Sequence, residues 1–449
     1  MRFSYHIAIA TLIFCGCSSD EPSLPDGPAT EDNVYLEMNK WIYGQMNRQY
    51  LWREDLPDSM RCDYNLAPRE FFNSLLSAKD RFSYFTTNDS YDPGKNQYTN
   101  LGFAYQEMQD KTGNKALEIL YITSPEIREY GIKRGDFVRV ANNNGNSFSL
   151  EKISFENGCF SSTNKRVSLS VKNPFQSSTV LLDSIYNEGN ISVGYLCYLQ
   201  YGDKEDLEQP LKNFANNKIS ELILDLRYNP GGYVSTCRFL SNCIVPPVGY
   251  NKVFQQCSYN NILSRDYLQS TGDSRTYSYF EVPGETLGEQ LGVILTPLNL
   301  KRLYVITSSH TASASEATII CLRSYMDVTV IGETTVGKGV GSWTISDARF
   351  RYAIQPITMR YYNADGYSTP DTGIEPDIYA ADGYLTGKLE IGDKNERLLK
   401  IALAHIKGEA LQSNLATRSP NIEMDNSLTP IGEPSYVTEF NNKHYNESN

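Results

Sequence analysis

The chain has 449 residues, enough for more than one domain and at least one large buried core. Aromatic residues make up 12% of it, 32 of them Tyr, which excludes a chain disordered throughout. A net charge of −12 with no basic stripe excludes a nucleic-acid footprint, because neutralising a phosphate backbone takes a basic surface.

Arg2 opens the chain, Ile7 to Phe14 is a short apolar run, and Phe14-Cys15-Gly16-Cys17 places small residues at a cleavage point. This order predicts an export signal, since so short a run falls well below the thickness of a bilayer. Its ending resembles a bacterial lipoprotein signal. The resemblance implies removal of residues 1–16 and lipidation of Cys17, although Phe14 is a less usual residue three positions upstream; an ordinary secretory signal is the alternative. Residues 17–31 contain the polar, Ser- and Pro-rich stretch SSDEPSLPDGPAT and read as a tether. The expected location is the bacterial cell envelope, lipid-anchored, facing the periplasm or exposed on the outer membrane. No later stretch is apolar enough to span a membrane.

After Cys17 come Cys62, Cys159, Cys197, Cys237, Cys243, Cys257 and Cys321, scattered and without Cys-x-x-Cys spacing. Neither a disulfide framework nor a zinc site is indicated, and no metal is expected; room is left for one bridge such as Cys243–Cys257.

Residues 32–90 read as a small helical domain. Val34, Met38, Trp41, Ile42 and Met46 recur at helical intervals, as do Phe71, Phe72, Leu75 and Leu76 after Pro68. Trp41, Tyr50 and Trp52 are read as core. Residues 98–178 change to short strands with turns. There Asn100-Leu101-Gly102-Phe103, Ile122-Thr123-Ser124-Pro125 and Gly131-Ile132-Lys133-Arg134-Gly135-Asp136 resemble a PDZ domain. That resemblance implies that the backbone N–H groups of Leu101, Gly102 and Phe103 hold a peptide's terminal carboxylate while the peptide adds as a strand. An ordinary β-hairpin is the plainer reading.

From residue 179 to 390 strands and helices alternate: Ile191–Leu199, Glu205–Asn216, Ile219–Leu226, Val234–Val245. This rhythm predicts a mainly parallel α/β sheet, with ligands at the carboxyl ends of its strands. Residues 246–300 read as loops and irregular strands. Leu303–Thr307 is predicted as a buried strand, Ala312–Tyr325 as a helix, Val328–Gly332 as a further strand, and Arg349–Tyr362 as a hairpin. The final segment, 391–449, is predicted as an amphipathic helix at 394–406 followed from about 410 by a polar, loose tail.

Three loops carry chemistry. DLRYNPGG, Asp225 to Gly232, follows a strand with a glycine pair that admits close backbone approach. Ser313 falls at a strand–helix turn, and Lys338 follows it by 338 − 313 = 25 residues across a second strand. A serine hydroxyl needs a neighbouring base, and a lysine serves as one only as the neutral amine. Reaching that form near pH ~7–8 from a reference near ~10.4 takes about 4 kcal/mol, which burial supplies. Val336 and Val340 beside Lys338 suit such a site, and Glu333 is expected to point elsewhere.

Ser313-x-x-Glu316 also fits a helix capping box, which makes Ser313 a plain N-cap. Gly332 to Lys338 fits most of a phosphate-binding loop, but Gly339 stands where that loop needs Ser or Thr, so no nucleotide is expected. His310, His405 and His444 show no acid partner at a telling spacing, which leaves a histidine triad unsupported.

Taken together, DLRYNPGG, TASASE and GETTVGKG in this order resemble the C-terminal-processing (tail-specific) serine peptidase family, over roughly residues 34–407. The resemblance implies a crotonase-like α/β core with a helical N-terminal cap and a PDZ-like domain. It further implies a Ser313–Lys338 dyad, an oxyanion hole from the backbone of Ala314 and of Gly231 or Gly232, protein or peptide substrates and no cofactor. Family members orient the dyad with an Asp in the following helix or a Gln after the lysine; here those positions are Ser324 and Ser342, and Ser342 is the candidate substitute. A non-catalytic, lipid-anchored peptide- or ligand-binding protein on the same fold is the alternative.

Overall fold

A computed structural model describes residues 31–87, 101–141, 147–170, 178–283, 296–350, 352–382, 388–409 and 428–436. The export signal, Cys17 and nearly all of the tether lie outside this set. Among the described residues no helix is long and apolar enough to cross a membrane.

Helix α1 (Glu31–Gln49) buries Met38, Ile42 and Met46, one stripe of its surface, against Phe71 and Phe72 of α2 (Pro68–Ser74). Pro68 sits at the first turn of α2, where its missing N–H is harmless. Tyr50 is fully buried there, with Trp41 and Trp52 packed around the same cluster, as expected for core. Strand β1 (Tyr84–Thr87) leads out of this unit.

The next unit is antiparallel. It contains β2 (Phe103–Asp110), β3 (Lys115–Ile122), the short helix α3 (Pro125–Glu129), β4 (Phe137–Ala141), β5 (Ser147–Glu156) and β6 (Cys159–Ser170). These strands pair in chain order, β2 to β6.

The central sheet is built from β7 (Val180–Glu188), β8 (Ile191–Tyr198), α4 (Glu205–Asn216), β9 (Glu221–Asp225) and α5 (Val234–Ile244), in the predicted alternation. An excursion through β10 (Val253–Tyr259), α6 (Asn261–Thr271) and β11 (Thr276–Tyr279) precedes β12 (Arg302–Thr307), α7 (Ala314–Arg323) and β13 (Asp327–Gly332). Then come β14 (Val340–Ser342), β15 (Ile345–Ser346), β16 (Tyr352–Gln355), β17 (Ile357–Tyr362), β18 (Ile378–Tyr379), α8 (Arg397–Ile406) and β19 (Leu428–Ile431). The central strand order is β18-β13-β12-β9-β8-β7, parallel except for β7.

Each strand therefore lies beside its chain neighbour, and crossovers of one hand put their helices on one face. Leu211 of α4, Leu240 of α5 and Ile320 of α7 share a core with Leu222 and Leu224 of β9 and Val305 of β12. The alternate residues, Ile223, Tyr304 and Ile306, pack on the other face against Leu399 and Ile401 of α8 and against Leu120 and Tyr121 of the antiparallel unit. With Asp225 opposite Ile306, the loops leaving β9 and β12 emerge side by side.

Four expectations are corrected. Residues 246–300 include a true helix, α6, which Asn260 caps by accepting from the Ile262 and Leu263 N–H groups. Its apolar signal is weak because Leu263 is its one buried residue. Arg349–Tyr362 is not a hairpin: β16 pairs with β1 and β15, whereas β17 pairs with β10 and β14, and Pro356, which has no N–H to donate, marks the change of sheet. Cys243 and Cys257 are both free. The tail is not loose throughout, because β19 pairs antiparallel with the outer edge of β2.

Candidate active site

Ser313 ends the loop that follows β12, at φ 56° and ψ −113°. Residues other than glycine rarely take this conformation, and packing must hold them in it. From Thr311 to Leu322 every residue is buried except Ser313, which keeps partial exposure. The strained turn thus lifts one hydroxyl out of a packed helix start.

Glu316, one turn into α7, is fully buried. Its Oε2 accepts from the Ser313 N–H and the Lys338 N–H, both at 2.8 Å; its Oε1 accepts from the Gly337 N–H at 2.7 Å and the Thr335 hydroxyl at 2.5 Å. Burial pushes this carboxyl upward in pKa, while the four donors act against that. Four donors fill its lone pairs, so the group sits as a carboxylate. A single oxygen therefore binds the serine backbone to the lysine backbone. The carboxylate of the expected capping box thus caps α7 at Ser313 and also ties in the lysine loop, engaging the N–H groups that a phosphate would have needed.

Lys338 is buried as well, with Nζ 5.2 Å from the centre of the Phe82 ring. Burial brings its amine down to about 8, against the opposing pull of the Glu316 and Asp80 carboxylates. Phe82 and Asp80 come from the N-terminal unit, where Asp80 accepts from the Tyr50 hydroxyl at 2.7 Å and from the Phe82 and Ser83 N–H groups at 2.9 Å. Arg81 donates to the carbonyls of Val336 and Asp371, closing this unit over the lysine loop. Gly337, at φ 85°, is required there: a Cβ would lie 2.4 Å from the Asp371 carbonyl oxygen. Because Asp80 favours the ammonium, Asp80→Asn is expected to move the acid limb of any Lys338-dependent rate to lower pH; an unmoved limb in a pH–rate profile would show that Asp80 does not act on Lys338.

The loop after β9 is hooked to the serine loop. Ser308 donates to the Arg227 carbonyl, Thr311 to that of Leu226 and Ser315 to that of Asn229, at 2.5, 2.9 and 3.1 Å. Gly231, at φ 113°, lies so close that a Cβ would stand 2.8 Å from Ser313 Cβ and 3.1 Å from the Ala314 nitrogen. Its own N–H is taken by Asn229 Oδ1 at 2.9 Å. Among the described hydrogen bonds, the Gly232 and Ala314 N–H groups have no acceptor. Of the predicted glycine pair, Gly232 is thus the better donor and Gly231 the spacer.

Beneath this loop lies an ionic network that the sequence did not signal. Arg227 is fully buried and bonded to Asp225 and Glu396; Arg134, equally buried, bonds Asp382 and the Tyr228 hydroxyl. Burial pushes the Asp382 carboxyl up, yet the Arg134 guanidinium outweighs it and holds the group well below the usual carboxylate range. Arg134 belongs to the antiparallel unit, so the network fastens that unit under the Asp225–Gly232 loop. Only the charges inside DLR could have pointed to it.

The remaining predicted residues make contacts of their own. Ser342 accepts from Gln355 Nε2 at 3.2 Å, and Asp80 brings a carboxylate charge to bear on Lys338. Glu333 is turned away: its carboxyl is raised in pKa by burial, then by Asp382, and the Ser309 backbone donates to it. Leu101 and Phe103 are buried in the core of the antiparallel unit, and Gly102, at φ 75°, accepts from the Thr123 and Ser124 N–H groups at 3.0 Å. A cleft of about 450 Å³, lined by Arg81, Phe82, Pro230, His310, Lys338 and Glu433 among others, opens at the lysine. Among the described residues no acidic, His or Cys cluster could hold a metal ion.

Residues 192–380 match the model of peptidase family S41, and residues 37–84 match that of the peptidase S41 N-terminal domain. The chain belongs to peptidase family S41. It is 24% identical over 331 residues to the chloroplastic carboxyl-terminal-processing peptidase 1 of Arabidopsis thaliana, a match covering 68% of this chain and 61% of that protein. With the tail-specific protease of Haemophilus influenzae it shares 25% identity over 203 residues, covering 42% and 24%. The chain thus spans less than two thirds of the length of these curated relatives. A solved protein of Bacteroides fragilis shares the fold, with a TM-score of 0.67 and 23% identity, over 82% of this chain and 97% of its own.

Proposed function

We propose that this protein is a serine endopeptidase of the C-terminal-processing type, acting through an acyl-enzyme on Ser313. The observation that carries this reading is the shared Glu316 carboxylate, which holds a strained, partly exposed serine and a desolvated lysine to one point. Neutral Lys338 takes the proton from Ser313 Oγ as that oxygen attacks the scissile carbonyl. The tetrahedral oxyanion is received by the N–H groups of Gly232 and Ala314, at the positive end of α7. Collapse breaks the C–N bond, and Lys338 returns the proton to the leaving amine. Water then attacks the ester with Lys338 again as base, releasing the acid and restoring Ser313.

In this reading the central sheet is a crotonase-like core, the N-terminal helices form a cap that desolvates Lys338, and the antiparallel unit acts as a PDZ-like holder of the substrate's C-terminus near Leu101, Gly102 and Phe103. Lipidation at Cys17 and location at the cell envelope belong to the same proposal, supported by the signal-like N-terminus. A serine-directed fluorophosphonate is expected to label the wild-type chain and not Ser313→Ala, with peptide hydrolysis lost in parallel. Equal labelling or equal hydrolysis in the two proteins would sink the assignment and leave a binding protein on this fold.

A further inference from the structure

Residues 428–436, LTPIGEPSY, follow a path that an unrelated surface strand has no reason to take. Leu428 to Ile431 run antiparallel to β2, with Leu428 opposite Asp110 and Ile431 opposite Glu107, so the segment advances toward the Gly102 end of that strand. Leu428 packs with Met108, Ala116 and Phe137. Gln106 Nε2 then donates to the carbonyls of Ile431 and Gly432 at 2.9 and 3.2 Å. Ser435 and Tyr105 exchange bonds, N–H to carbonyl at 2.9 Å and hydroxyl from N–H at 2.8 Å.

The chain next leaves the strand edge for the cleft. Glu433 Oε2 lies 3.3 Å from His310 Nε2, and both residues line the cleft that contains Lys338. Tyr436 is 4% exposed, its ring centre 5.3 Å from that of Tyr228, 6.0 Å from His310 and 6.2 Å from Tyr121. Tyr228 belongs to the loop that carries Gly231 and Gly232, so the segment bridges a strand edge and the mouth of the site.

Covering an exposed strand edge is a common safeguard against aggregation, but a safeguard needs neither an acidic side chain in the cleft nor an aromatic one in a slot. We infer that residues 428–436 are a ligand bound in cis: the β2 edge and the slot formed by Tyr121, Tyr228 and His310 are a binding site for an extended peptide bearing an aromatic side chain, and the chain's own segment occupies it in competition with substrate. The binding claim stands on the contacts; its consequence for hydrolysis rests on the peptidase reading.

Two full-length variants test it. A fluorescent LTPIGEPSY peptide is titrated against Ser313→Ala and against Ser313→Ala/Tyr436→Ala by anisotropy. The tethered segment competes at an effective concentration of about 1 mM, so removing its anchor is expected to tighten peptide binding by about tenfold or more. In the second variant, Gln109→Cys/Thr429→Cys, two residues directly opposite in the ladder are joined. Antiparallel partners stand about 4.5–5.5 Å apart, within disulfide reach. Oxidation is expected to suppress hydrolysis of an aromatic-ended peptide at least fivefold, and reduction to restore it, with the wild type indifferent to both treatments. Equal peptide affinity with and without Tyr436 overturns the inference, as does equal hydrolysis by the oxidised and reduced pair. If Tyr436→Ala fails to fold, the cysteine pair decides. If no form hydrolyses any peptide but the affinity difference appears, the peptidase reading falls and the cis ligand stands.

Discussion

Lys338→Ala is expected to lower kcat about 10⁴-fold or more with little change in stability. The first effect follows from removing the base that the proposed mechanism sets against Ser313, since such units lose nearly all their rate when one member goes. The second follows from opposing effects of similar size. With a folded pKa of about 8, below the unfolded reference, folding must strip or bury a proton that the unfolded chain keeps. At pH 7 this burdens the native state by about 3 kcal/mol, roughly what the lost side-chain packing is worth. Lys338→Arg keeps the charge and cannot yield a neutral amine, so it is expected to be equally inactive. In the wild type, the rate should rise with pH through about 8 and level above it, with about 1% of the plateau left at pH 6. Stability should rise over the window between about 8 and the unfolded lysine value, because there the unfolded chain binds the extra proton. A pH–rate profile flat from 6 to 9 would remove Lys338 from the mechanism.

The parts of this molecule that repeat a local rule were legible in the sequence. Glu205–Asn216 is helical with the predicted bounds, because its apolar residues recur at helical spacing. Ile219–Leu226 and Leu303–Thr307 read as strands because both faces of each are buried and both are filled with apolar residues. Motif order alone singled out Ser313 and Lys338 as candidates; the carboxylate that joins their loops was not legible. Glu316 was read as a capping residue, since a sequence shows its neighbour three positions back and hides the loop brought in from Thr335 to Lys338. Asp80 and Phe82 were read as parts of a separate helical unit for the same reason: nothing in the spacing of residues 80 and 338 tells that they meet. The tail was misjudged because LTPIGEPSY, with two prolines and a glycine, has little strand propensity of its own. Its order comes from the β2 edge it covers.

Glu316 is accordingly the residue whose replacement separates positioning from chemistry. It is a positioning residue, acting through the serine and lysine loops rather than on substrate. In Glu316→Gln one oxygen becomes an amide that can only donate, and it faces two of the four buried donors. Each donor left unpaired costs about 1–3 kcal/mol, so the melting temperature is expected to fall markedly. The lysine loop, no longer held to the Ser313 N–H, should drift, and misplacement by about 1 Å lowers the plateau rate by about 10²-fold. Loss of the negative charge also removes a force that raises the Lys338 pKa, so the acid limb should move below about 8 even as the plateau drops. Glu316→Asp keeps the charge on a side chain one methylene shorter. Its limb should stay near about 8 while its plateau falls, because one carboxylate no longer reaches both loops. A carboxylate that served only to cap α7 would give a different pattern: lower stability in the glutamine variant, with plateau rate and limb unchanged once the protein is folded. Rate profiles of the two variants, measured well below their melting temperatures, distinguish the cases.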